Sequence, residues 1–245
     1  LEHFISRNNV SSLLKCGESG SVDPIAIEKS MIFIRSILKD IPLGNIWNID
    51  ESTLLFRTNS LHTYASINFD GRGVKQNPER VTITFIVNAL GEKLNVQVIG
   101  KYKNPRCLKN IDPLKCFGID YEAQSNGWQN RDTFIRLLIQ INKFAIGRRQ
   151  IFYILLDNCS SHIAAAKYLD PQGIHKDRYS YQNIVLVFLP PNTTCLTQPL
   201  DQGIIRSFKA SFRYHQLKDL IQAFDASPNS KIDLRSHTTL KHAMN

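Results

Sequence analysis

Three stretches of the chain repeat apolar residues every three or four positions, which is the spacing of an amphipathic helix. The first, residues 26–39, follows Asp23-Pro24, a pair that suits the N-cap and first turn of a helix. The second is residues 132–144. The third follows Asp201 and carries basic residues beside its apolar stripe, which predicts an amphipathic basic helix. Residues 160–168 complete the set as a short predicted helix.

Between these helices lie segments with the residue pattern of β-strands. Residues 45–50 are β-branched and aromatic, and we expect this strand to end at the acids Asp50 and Glu51. Residues 81–90 and 93–99 are strand-like and flank a Gly-Glu turn. The second of them alternates apolar and polar positions, so the two segments predict a β-hairpin.

Two continuous apolar runs predict the centre of a sheet. Residues 151–157 end at Asp157, and residues 184–189 are followed by Pro190-Pro191. Runs of this kind are typical of strands that are covered on both faces, as in parallel sheets flanked by helices. The order of the predicted elements therefore indicates an α/β fold, a mixed sheet with helices on both faces.

Changes in composition divide the 245 residues into three regions. Residues 1–24 mix apolar residues with Ser, Gly and Asp, and we interpret them as the end of an upstream region plus a linker. The first residue is Leu1 rather than Met, so we expect the natural N-terminus to lie elsewhere. Residues 25–226 hold the predicted elements of one domain, and residues 227–245 form a polar tail.

Charge and cysteine content narrow the classes of function. Lys and Arg number 30 against 21 Asp and Glu, a formal net charge of +9, which favours a polyanionic partner such as nucleic acid. A generally basic soluble protein is the alternative. Apolar runs of about six residues cannot cross a bilayer, and no basic start leads into an apolar stretch, so we expect neither membrane association nor a secretory signal. Five scattered cysteines without a CxxC pair indicate free thiols rather than zinc ligands.

Three aspartates stand where metal chemistry is plausible. If the strands that carry Asp50 and Asp157 are parallel neighbours, their ends lie about 4.8 Å apart, and the two carboxylates repel each other unless a cation lies between them. Mg²⁺ suits such a pair, and a third carboxylate from Asp201 allows a second ion for in-line phosphodiester displacement. The alternative is that each aspartate caps a helix or a strand end.

The residues around these acids resemble the DDE transposases of the pogo/Tigger group, which includes centromere-protein-B-like and jerky-like proteins. The motifs follow the order of the group and together cover most of the chain. They are residues 48–52, 80–94, Asn104-Pro105-Arg106, Gly127-Trp128, 155–162, 188–194 and 198–203. Residues 4–23 resemble the tail of the centromere-protein-B-type helix-turn-helix region that precedes such domains.

The resemblance implies a ribonuclease-H-like fold over residues 25–226 and a nuclear endonuclease that cleaves and joins DNA strands. It implies that Asp50, Asp157 and Asp201 are the catalytic residues and that they hold two Mg²⁺ or Mn²⁺ ions. DNA is the expected partner, bound by a homodimer. Asp157 and Asp201 lie 44 positions apart, which is longer than we expect for the group, and we assign the extra length to a surface loop over residues 168–182.

Glu51, Asn158 and His162 are secondary candidates beside the acids. Asn158 is placed to hydrogen-bond near a metal site. His162 lies about one helical turn after Asn158 and faces the same site. The alternative for Asn158 and His162 is a packing and capping pair that holds the strand-to-helix turn.

Basic side chains supply the candidate contacts to DNA, and a solvated surface is the alternative for each group. We predict that both tryptophans, Trp47 and Trp128, lie in the core. A different class of function also stays open, a domesticated, non-catalytic DNA-associated protein derived from a pogo-like transposase. The predicted phosphate contacts are Lys101, Lys103, Arg106, Arg206, Lys209 and Arg213.

Overall fold

A seven-stranded mixed sheet forms the centre of the protein. A computed structural model describes residues 24–57, 79–173, 178–226 and 238–244. The strands are β1 (Ile46–Leu54), β2 (Val81–Asn88), β3 (Gln97–Gly100), β4 (Asp120–Ala123), β5 (Phe152–Leu156), β6 (Arg178–Tyr181) and β7 (Ile184–Phe188). Their order across the sheet is β4-β3-β2-β1-β5-β7-β6. β1 pairs in parallel with β5 and antiparallel with β2, which confirms the predicted mixed sheet.

Helices cover both faces of this sheet, as predicted. They are α1 (Pro24–Leu38), α2 (Pro113–Phe117), α3 (Arg131–Gly147), α4 (Ser160–Leu169), α5 (Thr194–Thr197), α6 (Ile204–Ala226) and α7 (Leu240–Met244). Successive residues of β5 point to opposite sides. Ile154 packs in the core cluster that contains residues of α3 and α4, whereas Leu155 packs in the cluster that contains Ile34 of α1. Of the helices described, none has the length and apolar character needed to cross a membrane.

The predicted hairpin is present, but its second strand is shorter than predicted. The Asn88 side-chain oxygen accepts hydrogen bonds from the backbone N–H groups of Leu90 (3.1 Å) and Glu92 (2.8 Å). The side chain of Asn88 therefore closes the turn. Beyond the turn, Lys93 makes a single bridge to Val87, and regular pairing resumes only at β3.

Two segments predicted as polar and irregular contain regular structure. β6 lies inside the expected loop 168–182 and pairs antiparallel with β7. The prediction of a loop is wrong here because Tyr179 is buried and its ring packs against Phe188, with ring centroids 5.9 Å apart. Within the expected polar tail, α7 buries both Leu240 and Met244. The resemblance of residues 4–23 to a helix-turn-helix tail concerns residues outside the described part of the chain.

Candidate active site

Two of the three aspartates occupy equivalent positions on neighbouring parallel strands. Asn48 of β1 lies opposite Leu155 of β5, so Asp50 and Asp157 follow two residues further along each strand. The predicted parallel pairing is confirmed. The prediction that β1 ends at Asp50 is wrong, because β1 stays paired with β2 as far as Leu54. Asp50 therefore projects from the middle of a strand, and Asp157 directly follows the end of β5.

Asp201 reaches the same edge of the sheet from a different element than predicted. It does not open the last helix but is the final residue of a short 3-10 helix, Pro199–Asp201, and α6 begins at Ile204. The backbone N–H of Leu200 donates to the side-chain oxygen of Asn48 (3.1 Å). This bond ties the segment that carries Asp201 to β1, two residues before Asp50.

A buried amide pair, missed by the sequence analysis, completes this connection. The Asn48 amide donates to the carbonyl of Leu155 (3.0 Å) and to the side-chain oxygen of Gln198 (2.8 Å). The Gln198 amide donates in turn to the carbonyl of Ile49 (3.0 Å). Both side chains are buried, and their hydrogen bonds link the segments that carry the three aspartates. A polar residue flanked by Trp47 and Ile49 in a buried strand was the available signal for Asn48.

Asp50 is a buried carboxyl group in an electrostatically unfavourable position. Its Oδ1 accepts the backbone N–H of Glu51 (2.9 Å), but its buried Oδ2 accepts no hydrogen bond from the described residues. Burial, together with the nearby carboxylates of Asp201 and Glu51, raises its pKa to about 8. A buried oxygen without a donor, next to other acids, fits a position that a cation neutralises.

The electrostatic effects link all three predicted acids. Partial burial and the charge of Asp157 raise the pKa of Asp201, although its side chain lies at the exposed rim. Asp157 also contributes to the raised pKa of Asp50. For Asp157 itself, burial acts against ionisation, but the hydrogen bond and charge of His162 hold its pKa below the usual value. The charge of Asp157 therefore affects the ionisation of both other acids.

His162 bridges two acids inside the protein. Its Nδ1 lies 2.7 Å from Oδ1 of Asp157, and its Nε2 lies 3.0 Å from Oε1 of Glu51. The ring is almost fully buried and packs on Phe134, with ring centroids 4.1 Å apart. Burial alone lowers the pKa of His162, but the two carboxylates outweigh it and raise this pKa well above 6.5. A charged imidazolium between two carboxylates is the expected state at neutral pH.

Asn158 contacts the backbone rather than the acids. Its amide donates to the carbonyl of Leu189, just beyond β7.

In the residues that the structure describes, no three His, Cys, Asp or Glu side chains are arranged to hold a metal ion together. His162 and the backbone N–H of Cys159 (3.1 Å) both contact Oδ1 of Asp157, so that oxygen is already occupied.

The predicted DNA contacts fall into two groups. Lys101, Lys103 and Arg106 are exposed in the segment after β3. β3 is antiparallel to β2, as β1 is, so this segment leaves the sheet at the same edge as the acids. Arg213 of α6 is different, because its guanidinium donates to the backbone carbonyl of Leu55 (2.6 Å) and anchors α6 to the end of β1. The other two basic residues on α6 are the exposed Arg206 and the half-buried Lys209.

The two tryptophans differ in environment. Trp47 is fully buried, as predicted, but the prediction that Trp128 lies in the core is wrong because 50% of this residue is exposed. Gly127 adopts a positive φ of 66° in a turn that carries Trp128 outward. The Thr82 hydroxyl fixes this turn by donating to the carbonyl of Gly127 (2.7 Å).

The chain belongs to the DDE superfamily endonucleases, because the model of that family matches residues 78–244. Its relatives include the Jerky protein homolog of Homo sapiens, 28% identical over 228 residues, and Tigger transposable element-derived protein 4 of Mus musculus, 26% identical over 212 residues. These alignments cover 86% and 83% of this chain but 37% of each relative. The predicted membership of the pogo/Tigger group is confirmed, and the chain spans little more than a third of these relatives' length.

The fold is ribonuclease-H-like, as the resemblance implied. Among solved structures, the Mos1 mariner paired end complex with Mn superimposes with a TM-score of 0.50 at 13% sequence identity. The match covers 96% of this chain and 64% of that one. At this level of identity the likeness concerns the fold, and the roles of individual residues must be argued from the site.

Proposed function

We propose that this domain cleaves and joins DNA strands, with divalent cations held by Asp50, Asp157 and Asp201. The observation that carries the proposal is the buried Asp50 Oδ2, which has no donor among the described residues and lies beside two further acids from distant parts of the chain. Membership of the DDE superfamily endonucleases supports the same chemistry. When bound, two Mg²⁺ or Mn²⁺ ions activate the attacking oxygen and stabilise the leaving oxygen of a phosphodiester.

The protein's own residues have distinct parts in this proposal. Asp50 supplies a buried carboxylate, and Asp157 and Asp201 supply carboxylates nearer to solvent. Because no three side chains are arranged to hold an ion as they stand, binding is accompanied by side-chain rotation of the acids. His162 holds Asp157 against Glu51 and restricts that rotation. Lys101, Lys103, Arg106, Arg206 and Lys209 are proposed to contact DNA phosphates.

A plasmid nicking assay with Mn²⁺ tests this function. We expect Asp157→Asn to abolish nicking, since an amide is a poor ligand for a hard divalent cation. The matched control is Asp132→Asn, which removes the charge of an exposed aspartate that pairs with Arg131 (2.8 Å) outside the site. Equal nicking by wild type and Asp157→Asn would contradict the proposal, as would equal loss in both variants.

A domesticated, non-catalytic role is the second candidate. Its support is the relative Tigger transposable element-derived protein 4, whose name describes it as derived from a transposable element. Thermal melting in millimolar Mn²⁺ separates the two candidates, because an ion that binds only the folded protein raises the melting temperature. A rise that Asp157→Asn removes supports the catalytic role, and an unchanged melting temperature favours the non-catalytic one.

We propose for either role a nuclear protein that contacts DNA as a homodimer.

A further inference from the structure

We propose that a groove beside the acids binds single-stranded DNA by stacking an unpaired base on Trp128. For convenience we call it the Trp128 groove, a cavity of about 1130 Å³ lined by Arg80, Lys101, Tyr102, Arg106 and Trp128 among other residues. The inference deepens the proposed function, since it rests on DNA being the substrate. It adds the strandedness of the DNA and the side chains that recognise it.

The groove opens at the edge of the sheet that carries the acids. Arg80 directly precedes β2, whose first residue, Val81, pairs with Leu54 at the end of β1. Leu54 lies four residues beyond Asp50 on the same strand, a distance of about 13 Å. Lys101 and Tyr102 follow β3, which leaves the sheet at this edge. A nucleic acid strand that passes the acids therefore meets the groove within a few nucleotides.

Two exposed aromatic rings line the groove, each beside a cation. The guanidinium of Arg80 lies 4.2 Å from the ring centroid of Trp128, and the ammonium of Lys101 lies 5.7 Å from that of Tyr102. Trp128 is 50% exposed and Tyr102 is 58% exposed, large values for aromatic residues. Aromatic rings that accept stacked bases, combined with cations that follow the phosphates, are the elements of single-strand recognition.

Both aromatic residues are held by the sheet. The hydroxyl of Thr82, in β2, donates to the carbonyl of Gly127 (2.7 Å), directly before Trp128. The hydroxyl of Tyr121, in β4, donates to the carbonyl of Tyr102 (2.7 Å). The backbone that carries each ring is therefore anchored to the sheet, and this holds the ring in its exposed position. A ring that is already held in place stacks a base at little entropic cost.

The chemistry of the groove favours a single strand over the two other polyanions that a basic surface can bind. A base in a duplex is already stacked on its neighbours, so it cannot also cover an aromatic side chain. An acidic peptide satisfies the cations, but its carboxylate side chains offer no aromatic ring to stack on Trp128. Glu79 pairs with Arg57 (2.6 Å), and the surrounding side chains Arg80, Lys101 and Arg106 keep the groove basic.

The chain's two tryptophans make the test direct. Trp47 is fully buried against Phe152, with ring centroids 5.0 Å apart, so a ligand that quenches the emission of the 245-residue protein reports on Trp128. We expect a short oligothymidylate to quench this emission in EDTA and the corresponding duplex to leave it unchanged. Equal quenching by the duplex, or no quenching by the oligothymidylate, overturns the proposal. Quenching by polyglutamate alone overturns it in favour of an acidic peptide.

Substitutions separate stacking from charge, with binding followed by anisotropy of a labelled oligothymidylate. We expect Trp128→Ala to weaken binding about tenfold without changing its salt dependence, the loss of one base stack, and Trp128→Phe to restore most of the affinity. Arg80→Ala weakens binding and lowers the salt slope by about one. The control is Arg148→Ala, whose guanidinium lies 4.3 Å from the ring centroid of Phe144 at the opposite edge of the sheet. Wild-type affinity in Trp128→Ala overturns the proposal.

The result is independent of cleavage. The titration is made without metal, so a domain that never nicks DNA still gives the quench if the Trp128 groove binds a single strand. Conversely, a domain that nicks DNA in Mn²⁺ but binds oligothymidylate equally well with and without the Trp128 ring keeps the proposed function and loses the groove.

Discussion

Two places in the β1–β2 pair, the turn after β2 and the middle of β1, hold carboxylates in opposite electrostatic environments. At the turn that follows β2, the Glu92 carboxylate accepts hydrogen bonds from the guanidinium of Arg148 (2.9 Å) and from the amide of Asn88 (3.0 Å). These partners, Arg148 foremost, lower the pKa of Glu92. In the middle of β1, burial and neighbouring acids raise the pKa of Asp50 to about 8.

The difference indicates which of the two places contributes to stability and which serves another purpose. A folded chain gains nothing in stability from a buried carboxylate that has one oxygen without a donor and faces other acids. Perturbed acids of this kind occur at functional sites, where a ligand or ion supplies the missing charge. Each place also has its cation, the exposed Arg148 at the turn and the buried His162 beside the acids, and this makes the comparison testable.

The largest effect is expected from removing the buried cation. His162→Phe keeps a ring against Phe134 but leaves Glu51 and Asp157 without their shared partner. We expect the free energy of unfolding in EDTA at pH 7 to fall by about 4 kcal/mol, the usual cost of breaking a buried ion pair from one side. Urea unfolding followed by circular dichroism measures this loss.

Arg148→Ala is the comparison variant for this loss. It removes the cation from Glu92 in the exposed turn after β2, where solvent already stabilises the carboxylate, so the loss is expected to be much smaller. A His215→Phe variant controls for the change of ring type, because His215 is exposed on α6. If His162→Phe and Arg148→Ala lose equal stability, the turn after β2 and the acidic site do not differ as the structure indicates.

Asp50→Asn is expected to stabilise the metal-free protein while removing its activity. The amide has no charge to bury beside Asp201 and Glu51, so we expect a gain on the order of 3 kcal/mol in EDTA at pH 9. Glu92→Gln has the opposite sign, since it loses a charge that Arg148 stabilises. Destabilisation by both substitutions would show that the buried charge of Asp50 does not destabilise the metal-free protein.

The pH dependence of Asp50 has a definite sign. Its pKa in the folded protein, about 8, lies above the ordinary value of 3.8, so the folded state keeps a proton that the unfolded state releases. The free energy of unfolding therefore falls as the pH rises from about 4 to about 8. The raised pKa of His162 acts in the same direction above 6.5, so the contribution of Asp50 is the difference between wild type and Asp50→Asn.

Elements with a local residue pattern could be predicted from the sequence, whereas contacts between residues far apart in the chain could not. Continuous apolar runs predicted β5 and β7, helical spacing of apolar residues predicted α3, and alternating polarity with a turn predicted the hairpin. β6 was missed because its one buried anchor, Tyr179, stands in a polar segment. Trp128 was misplaced because residue type indicates the core, whereas the turn at Gly127 carries the side chain outward.

The candidate site divides in the same way. The positions of Asp50, Asp157 and Asp201 in the predicted elements and the family resemblance both indicated these acids, and the parallel order of β1 and β5 explained why two of them are neighbours. Gln198 carried no signal of its own, because its partners Asn48 and Ile49 lie about 150 positions earlier in the chain. A hydrogen bond over such a separation becomes visible only in the fold, where it joins the segment that carries Asp201 to the strand that carries Asp50.

The smallest of the expected effects tests this last link. Gln198→Ala removes two buried hydrogen bonds, and we expect a loss of about 2 kcal/mol in the free energy of unfolding because the Asn48 amide loses one of its two acceptors and the Ile49 carbonyl loses its side-chain donor. Gln97 is a control of the same residue type in β3, since it is also buried but its amide has no hydrogen bond among the described residues. Gln97→Leu is therefore expected to be neutral or stabilising.

If Gln198 positions Asp201, Gln198→Ala also weakens the Mn²⁺-induced rise in melting temperature, whereas Gln97→Leu leaves that rise unchanged. An unaltered rise in Gln198→Ala would show that the amide pair supports the fold alone, and that Asp201 reaches the other acids without it.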